Sequence, residues 1–318
     1  MVVKILHGLA ELSRRPTGCV VTIGNFDGVH LGHQRILSVA RGLADTSDSP
    51  VVAVTFEPPP VRVLAPEAAP EPLMQLTQRT AALAEAGADV VLMLQTSREL
   101  LAMSPEAFVR EYLIGRLGPR HVVEGRNFFF GHGRSGNVDT LTELGKRHGF
   151  EVHVADRVTV DLPGSPGVIV SSSFIRALVL AGRVDDAAVC LGRPYTMQGT
   201  VVAGAGRGRT LDYPTANLDC GEQLLPADGV YSGWALLPDA GDRAIPAALS
   251  VGDRPTFQSG VRALEAHLLD AVGELYGRSL AVRFVRRLRD QRAYESAEAL
   301  RDQMAADVRR IREELGER

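Results

Sequence analysis

At about residue 192 the hydrophobic pattern of this 318-residue chain changes character, and that change constrains the fold more than any single motif. Before it, short apolar runs alternate with segments of helical spacing. Residues 19–23, 51–56, 89–94, 121–123 and 151–154 read as strands. Residues 34–43 and 75–87 read as helices, with Thr77 able to cap the second and Gly87 ending it. Ser104-Pro105-Glu106 opens another helix, which runs through 108–117. Such alternation predicts a Rossmann-like parallel sheet with helices on both faces, and ligands at the carboxyl ends of its strands. After residue 192, runs at 195–202, 229–237, 244–251, 263–269 and 280–284 follow one another with Gly, Pro and Asp turns between them. Most have no helical pattern between them, which predicts a small antiparallel barrel. A last helix starts at Ser296, and its apolar stripe (Ala297, Leu300, Met304, Val308, Ile311, Leu315) is suited to pack on that barrel. The expected division is 1–183 and 184–318.

Charge and composition narrow the class. With 35 basic and 38 acidic side chains, the net charge of −3 gives no reason to expect nucleic acid as a partner. No apolar run reaches the length of a membrane span, and the opening Met-Val-Val-Lys-Ile-Leu-His is too briefly apolar for a secretion signal. Three cysteines without C-x-x-C spacing fit reduced thiols and a cytoplasmic location.

The densest chemistry lies in Gly24-Asn25-Phe26-Asp27-Gly28-Val29-His30-Leu31-Gly32-His33, between a strand and a helix. A helix start attracts anions through its free N–H groups and dipole, glycines permit close approach, and His30 and His33 can donate to phosphoryl oxygens. Two surface histidines at a helix start are an equal reading, whereas zinc is not suited by this spacing. Asn127, after the strand at 121–123, can offer a carbonyl oxygen to Mg2+ or simply belong to an aromatic-rich turn. Ser171-Ser172-Ser173 opens a helix with Arg176 one turn on, which suits a polyphosphate or a plain serine cap. Arg134 is a weaker cation candidate. In the second half, Gly204, Gly206, Arg207 and Gly208 form a glycine-rich turn without a P-loop lysine. Thr215 and Asn217 can share one hard cation. Period two puts Leu264, Ala266 and Leu268 on a core face, leaving Glu265 and His267 together on the other. Glu265 can take a proton from a hydroxyl, or be a solvated carboxylate.

In this order, the segments resemble the bacterial bifunctional riboflavin kinase/FMN adenylyltransferase (FAD synthetase) family over nearly the whole chain. The resemblance rests on 24–33, Gly-Arg-Asn-Phe-Phe-Phe-Gly (125–131) and Ser-Ser-Ser-Phe-Ile-Arg (171–176) in the first half. In the second it rests on 191–195, 204–211, Pro-Thr-Ala-Asn-Leu (214–218), Asp-Gly-Val-Tyr (228–231), Arg-Pro-Thr-Phe (254–257) and 264–270. It implies a nucleotidyltransferase-type Rossmann domain joined to a six-stranded barrel, with riboflavin, FMN and ATP as substrates and Mg2+ as cofactor. The barrel would phosphorylate riboflavin to FMN, with Thr215 and Asn217 holding Mg2+, Glu265 as base, and 204–208 over the ATP phosphates. The first domain would adenylylate FMN to FAD. There the loop from Gly24 to Gly28, His30 and His33 would serve the ATP phosphates, Asn127 the metal, and Ser172, Ser173 and Arg176 the phosphate grip. No flavin-binding residue is implied.

Four positions depart from the family pattern. Pro59 stands where a histidine is usual, Ser173 where threonine is common, Asp212 in place of a glycine and Asp253 in place of a threonine. Pro59 motivates a second reading, a kinase for riboflavin or an analogue with weakened or lost FAD synthesis. Asp212 and Asp253 motivate a third, a non-catalytic flavin-binding or regulatory protein. The intact Thr215, Asn217, Glu265, His30 and His33 count against it.

Overall fold

Parallel pairing in one set of strands and antiparallel pairing in the other divide this chain into two architectures. The computed structural model describes residues 3–12, 16–204, 213–237, 243–253, 262–269 and 273–316. One compact unit comprises Met1–Pro70, Leu76–Asp161 and Ser165–Val170, and the other Glu71–Gln75, Leu162–Gly164 and Ser171–Arg318.

In the first unit, β1 (Lys4–His7), β2 (Val20–Ile23), β3 (Val51–Glu57), β4 (Val90–Gln95), β5 (His121–Gly125) and β6 (Glu151–Ala155) form one sheet. Its order is β1-β4-β3-β2-β5-β6, and every neighbouring pair is parallel. All four residues of β2 and the first five of β3 are buried, as expected of a sheet covered on both faces. The order runs one way from β2 through β3 to β4 and the other way from β2 to β5. Right-handed crossovers that reverse direction put their helices on opposite faces. Lys4–His7 was not anticipated as a strand: only Leu6 of its four residues is buried, so it has almost no pattern to read.

Three helix expectations need correction. α1 spans Leu31–Ser47, longer than 34–43 at both ends; at its start, His30 caps it four residues before Gln34. α2 spans Leu76–Glu85, so Thr77 lies inside its first turn and is not its cap; Gly87 follows its end at φ 107°. The expected helix through 108–117 is one α-turn, Pro105–Phe108, capped by Ser104, followed by a wide π-type winding over Val109–Leu117. Gly118, in the left-handed conformation, closes that winding by donating its N–H to the Leu113 carbonyl at 2.7 Å. α3 (Val138–His148) then leads to β6.

The second unit contains α4 (Ser172–Leu180), α5 (Val184–Leu191) and the barrel strands. These are β7 (Thr196–Val202), β8 (Ala216–Asp219), β9 (Gly229–Leu237), β10 (Arg243–Asp253), β11 (Arg262–Leu268) and β12 (Ser279–Arg289). They close in the order β7-β8-β11-β10-β9-β12, all antiparallel. Alternating burial along β7, β11 and β12 gives one core face per strand, where Tyr231 meets Phe284 edge-on at 5.3 Å. Residue patterning found five of these strands. It missed β8, whose four residues include Asn217 and Asp219, poor strand formers held in place by neighbours on both sides.

α6 (Ala297–Glu314) packs on β9 and β10, with Ser296 as its cap and Ile311 fully buried. The rest of the expected stripe is less deep: Ala297 is exposed, and Leu300, Met304, Val308 and Leu315 are half-buried. The contact is fastened instead by Asp307, which accepts from Arg289 Nε at 3.1 Å and Nη2 at 2.6 Å, and from Gln303 at 2.9 Å. Removing one partner of a buried ion pair strands the other and costs about 3 kcal/mol. Asp307→Ala is expected to lower the denaturant midpoint of the barrel unit accordingly, with Arg289→Met/Asp307→Leu recovering most of the loss.

Candidate active sites

Strand order reverses between β2 and β5, and at their carboxyl ends the two strands part. Their pairing covers Val20 with His121 and Val21 with Val122. Beyond it, the Ile23 N–H finds an acceptor in the Glu124 side chain, 2.7 Å away. Such a crevice is where an open α/β sheet binds its ligand. The loop from Gly24 leaves β2 directly into it, carrying Phe26 at φ 49°, Gly28 at 84° and Val29 at 36°. Positive φ at a phenylalanine and a β-branched valine is strained backbone, which persists only when its surroundings enforce it. Here Phe26 and Val29 are buried, and the Asn25 carbonyl accepts from both Thr55 (3.3 Å) and the buried Arg79 (3.3 Å).

His30 ends the loop as the cap of α1. Its Nδ1 accepts from the N–H groups of Gly32 (3.1 Å) and His33 (3.4 Å). A neutral imidazole that accepts at Nδ1 carries its proton on Nε2. The His33 ring stacks on His30 with centroids 3.7 Å apart, and Phe26 meets His33 edge-on at 5.2 Å. The structure therefore brings His30, His33 and the Gly24–Gly28 loop together at the head of a 17-residue helix.

Asn127 lies on the exposed turn that leaves β5, its side-chain oxygen folded back over Gly125. Arg134 is also exposed and stacks on the Phe129 ring at 4.7 Å. Pro59 occupies the cap position before the short helical turn Pro60–Leu64. Ser171, not Ser172 or Ser173, caps α4 by accepting from the Phe174 N–H at 3.3 Å. Ser172 and Ser173 occupy the first turn, and Arg176 Nε donates to the Glu71 carbonyl at 3.0 Å. These α4 residues belong to the second compact unit, whereas His30, His33 and Asn127 belong to the first.

In the barrel, Asn217 of β8 pairs directly with Glu265 of β11, and Ser250 of β10 lies on the other side of Glu265. Asn217 is buried, while Thr215 and Glu265 are half-buried. Gly204 passes so close that any side chain there would collide with the Asn217 amide. As period two predicts, Leu264, Ala266 and Leu268 are buried, while Glu265 and His267 are less so. Burial lowers the His267 pKa, and its Nδ1 lies 2.9 Å from the Pro214 carbonyl, fastening the approach to Thr215. Asp253 is exposed at the end of β10. Gly206, Arg207, Gly208, Asp212 and Arg254 lie outside the described residues.

Two buried groups escaped sequence reasoning. Arg79 reads as a surface residue of a helix, and nothing local marks it as a loop anchor. Glu124 had a signal: it is a charged residue at the end of an apolar strand run. Its carboxyl is wholly buried, and desolvation raises its pKa well above 4.5, against the opposing hydrogen bond from Ile23.

Comparison with known proteins accounts for both units. The FAD synthetase family matches residues 12–172, and the riboflavin kinase family matches 191–315. A fold with these two halves defines a two-site flavin nucleotide transferase. The chain belongs to the bifunctional riboflavin kinase/FMN adenylyltransferase family. Relatives of that description from Escherichia coli K12 and Pseudomonas fluorescens are 34% and 39% identical. Coverage of both chains is 98% in the first case and 96% in the second. A solved structure described as a macrolide-efflux protein from Streptococcus pneumoniae superposes with a TM-score of 0.85 at 28% identity, covering 98% of this chain and 99% of that one. Among the described residues no helix is long and apolar enough to cross a membrane.

Glu124 makes stability depend on pH with a defined sign. A carboxyl whose pKa is raised by folding stabilises the fold while protonated, and that contribution is lost as pH rises from about 4.5 through the raised value. Glu124→Gln keeps an acceptor for Ile23 and removes the titration. The variant is expected to gain stability relative to the parent as pH rises, read from urea midpoints between pH 5 and 8. A constant difference would contradict the assignment.

Proposed function

We propose that this chain makes FAD from riboflavin in two ATP-dependent steps, one in each unit. Its membership of the bifunctional family over both units is the observation that carries this reading. In the barrel, Glu265 takes the proton of the riboflavin 5′-hydroxyl while that oxygen attacks the γ-phosphorus of ATP, and ADP leaves. The barrel row supports this role, because Glu265 lies beside Asn217 on a face turned away from the core. The oxygens of Thr215 and Asn217 are the donors a hard divalent cation takes, and the glycine at 204 lets the β7 exit pass close against that amide. Mg2+ held there supplies neutralisation of phosphate charge. The loop of Gly204, Gly206, Arg207 and Gly208 covers the ATP phosphates.

In the first unit's chemistry, the FMN phosphate attacks the α-phosphorus of a second ATP, and pyrophosphate leaves. His30 and His33 steady the charge that builds on the transferred and leaving groups. The Nδ1 bonds of His30 support that role, because they orient the ring and leave its proton on Nε2. Residues Gly24 to Gly28 wrap the phosphates and Asn127 serves the metal; a phosphate-gripping role for Ser172, Ser173 and Arg176 rests on the family resemblance alone. The functional division follows 1–183 and 184–318, and three cysteines with no disulfide between them suit a reducing cytoplasm. The two narrower readings, kinase alone and flavin binding without turnover, are not favoured by family membership spanning both units.

Chromatographic time courses with riboflavin or FMN, ATP and Mg2+ test the assignment. Glu265→Ala is expected to lower FMN formation by about 10²- to 10⁴-fold while leaving FMN-to-FAD conversion intact. His30→Ala is expected to do the reverse, with a loss of about 10²- to 10³-fold. A folded variant that lost both activities would refute the two-site assignment.

A further inference from the structure

At the amino ends of β5 and β6, away from the nucleotide site proposed at the other end of the same sheet, three metal-ligating side chains converge. His121 pairs directly with Glu151 across the parallel ladder, and His153 follows two residues on. Parallel register and period two put all three on one face of the sheet. His121 Nδ1 and His153 Nε2 are 3.1 Å apart, and a Glu151 oxygen lies 3.7 Å from each. We propose that His121, Glu151 and His153 form a binding site for a divalent transition-metal ion of the Zn2+ class.

The triangle itself carries the argument. Sides of 3.1, 3.7 and 3.7 Å have a centre about 2.0 Å from every corner, and zinc bonds to imidazole nitrogen and carboxylate oxygen at about 2.0–2.2 Å. Hydrogen bonding explains only one side of it. The two rings can share a proton at 3.1 Å, but 3.7 Å is too long for a bond from either ring to the carboxylate. Two nitrogens and one carboxylate are the donors of Zn2+, Co2+ and Ni2+, whereas Mg2+ and Ca2+ take oxygen. Access is open, since the Glu151 side chain is 74% exposed and the His153 side chain 30%. Water completes the coordination.

Position decides what such an ion does. The loops of Gly24 and Asn127 leave from the carboxyl ends of their strands, and β5 is about 13 Å long at ~3.3 Å per residue. The ion therefore acts at the far end of the sheet from that chemistry. β6 is the outermost strand there, and only one of its five residues is buried. An ion bridging it to β5 staples that edge of the sheet.

The test titrates Zn2+ into the full chain by calorimetry, without ATP or Mg2+, and repeats it with Co2+ monitored by visible absorption. One equivalent is expected to bind and raise the melting temperature by several degrees. Affinity is expected to fall roughly a hundredfold in His153→Gln and in the solvent-facing Glu151→Gln, since even outer-shell partners are worth about ten- to a hundredfold. Circular dichroism without metal checks that both variants fold. No saturable uptake at micromolar Zn2+, or uptake undiminished in His121→Asn/His153→Gln, would overturn the proposal.

Discussion

The parting of β2 and β5 is the constraint on which the nucleotide-binding half of this molecule depends. A parallel sheet whose crossovers are all right-handed opens a crevice only where its strand order reverses. Here the reversal leaves the Ile23 N–H without a ladder partner, and a buried carboxyl replaces it. The Gly24 loop then leaves β2 beside that gap, its first N–H donating to the Val54 carbonyl of β3 at 3.0 Å. Its left-handed Phe26 and Val29 are held by burial and by two donors on the Asn25 carbonyl.

The barrel solves a different problem with the same economy. Closure removes sheet edges, so even the four-residue β8 is paired on both sides. That pairing sets Asn217 beside Glu265 although 47 residues of chain lie between them in the sequence. Gly204 belongs to the same arrangement, because a bulkier residue would force the β7 exit away from Asn217. The proposed metal and base positions are thus a matter of register, and a one-residue slip would turn them to the core.

Much of this was legible in the residues. The first-half alternation pointed to the parallel sheet, and five of six barrel strands had clear patterns. The capping histidine was less readable, because imidazole is not a usual cap and the apolar periodicity starts after it. β1 and β8 failed for opposite reasons: one is nearly unburied, and the other is built from residues that prefer turns. The winding at 109–117 left no sequence mark, since helix and π-helix share side-chain chemistry and differ only in which carbonyl each N–H selects.

By itself, the sequence determined the two periodicities, the order of the motifs and the resemblance they carry, because each depends on residues close together in the chain. Tertiary structure alone decided which distant residues meet. It committed one nitrogen of His30 to the helix, put Arg79 and Glu124 beneath the loop, and set Glu265 opposite Asn217. It also gathered His121, Glu151 and His153 at the far end of the sheet. These meetings follow from strand order and register, which local propensity does not encode, and from burial, which changes what a charged group costs once water is excluded.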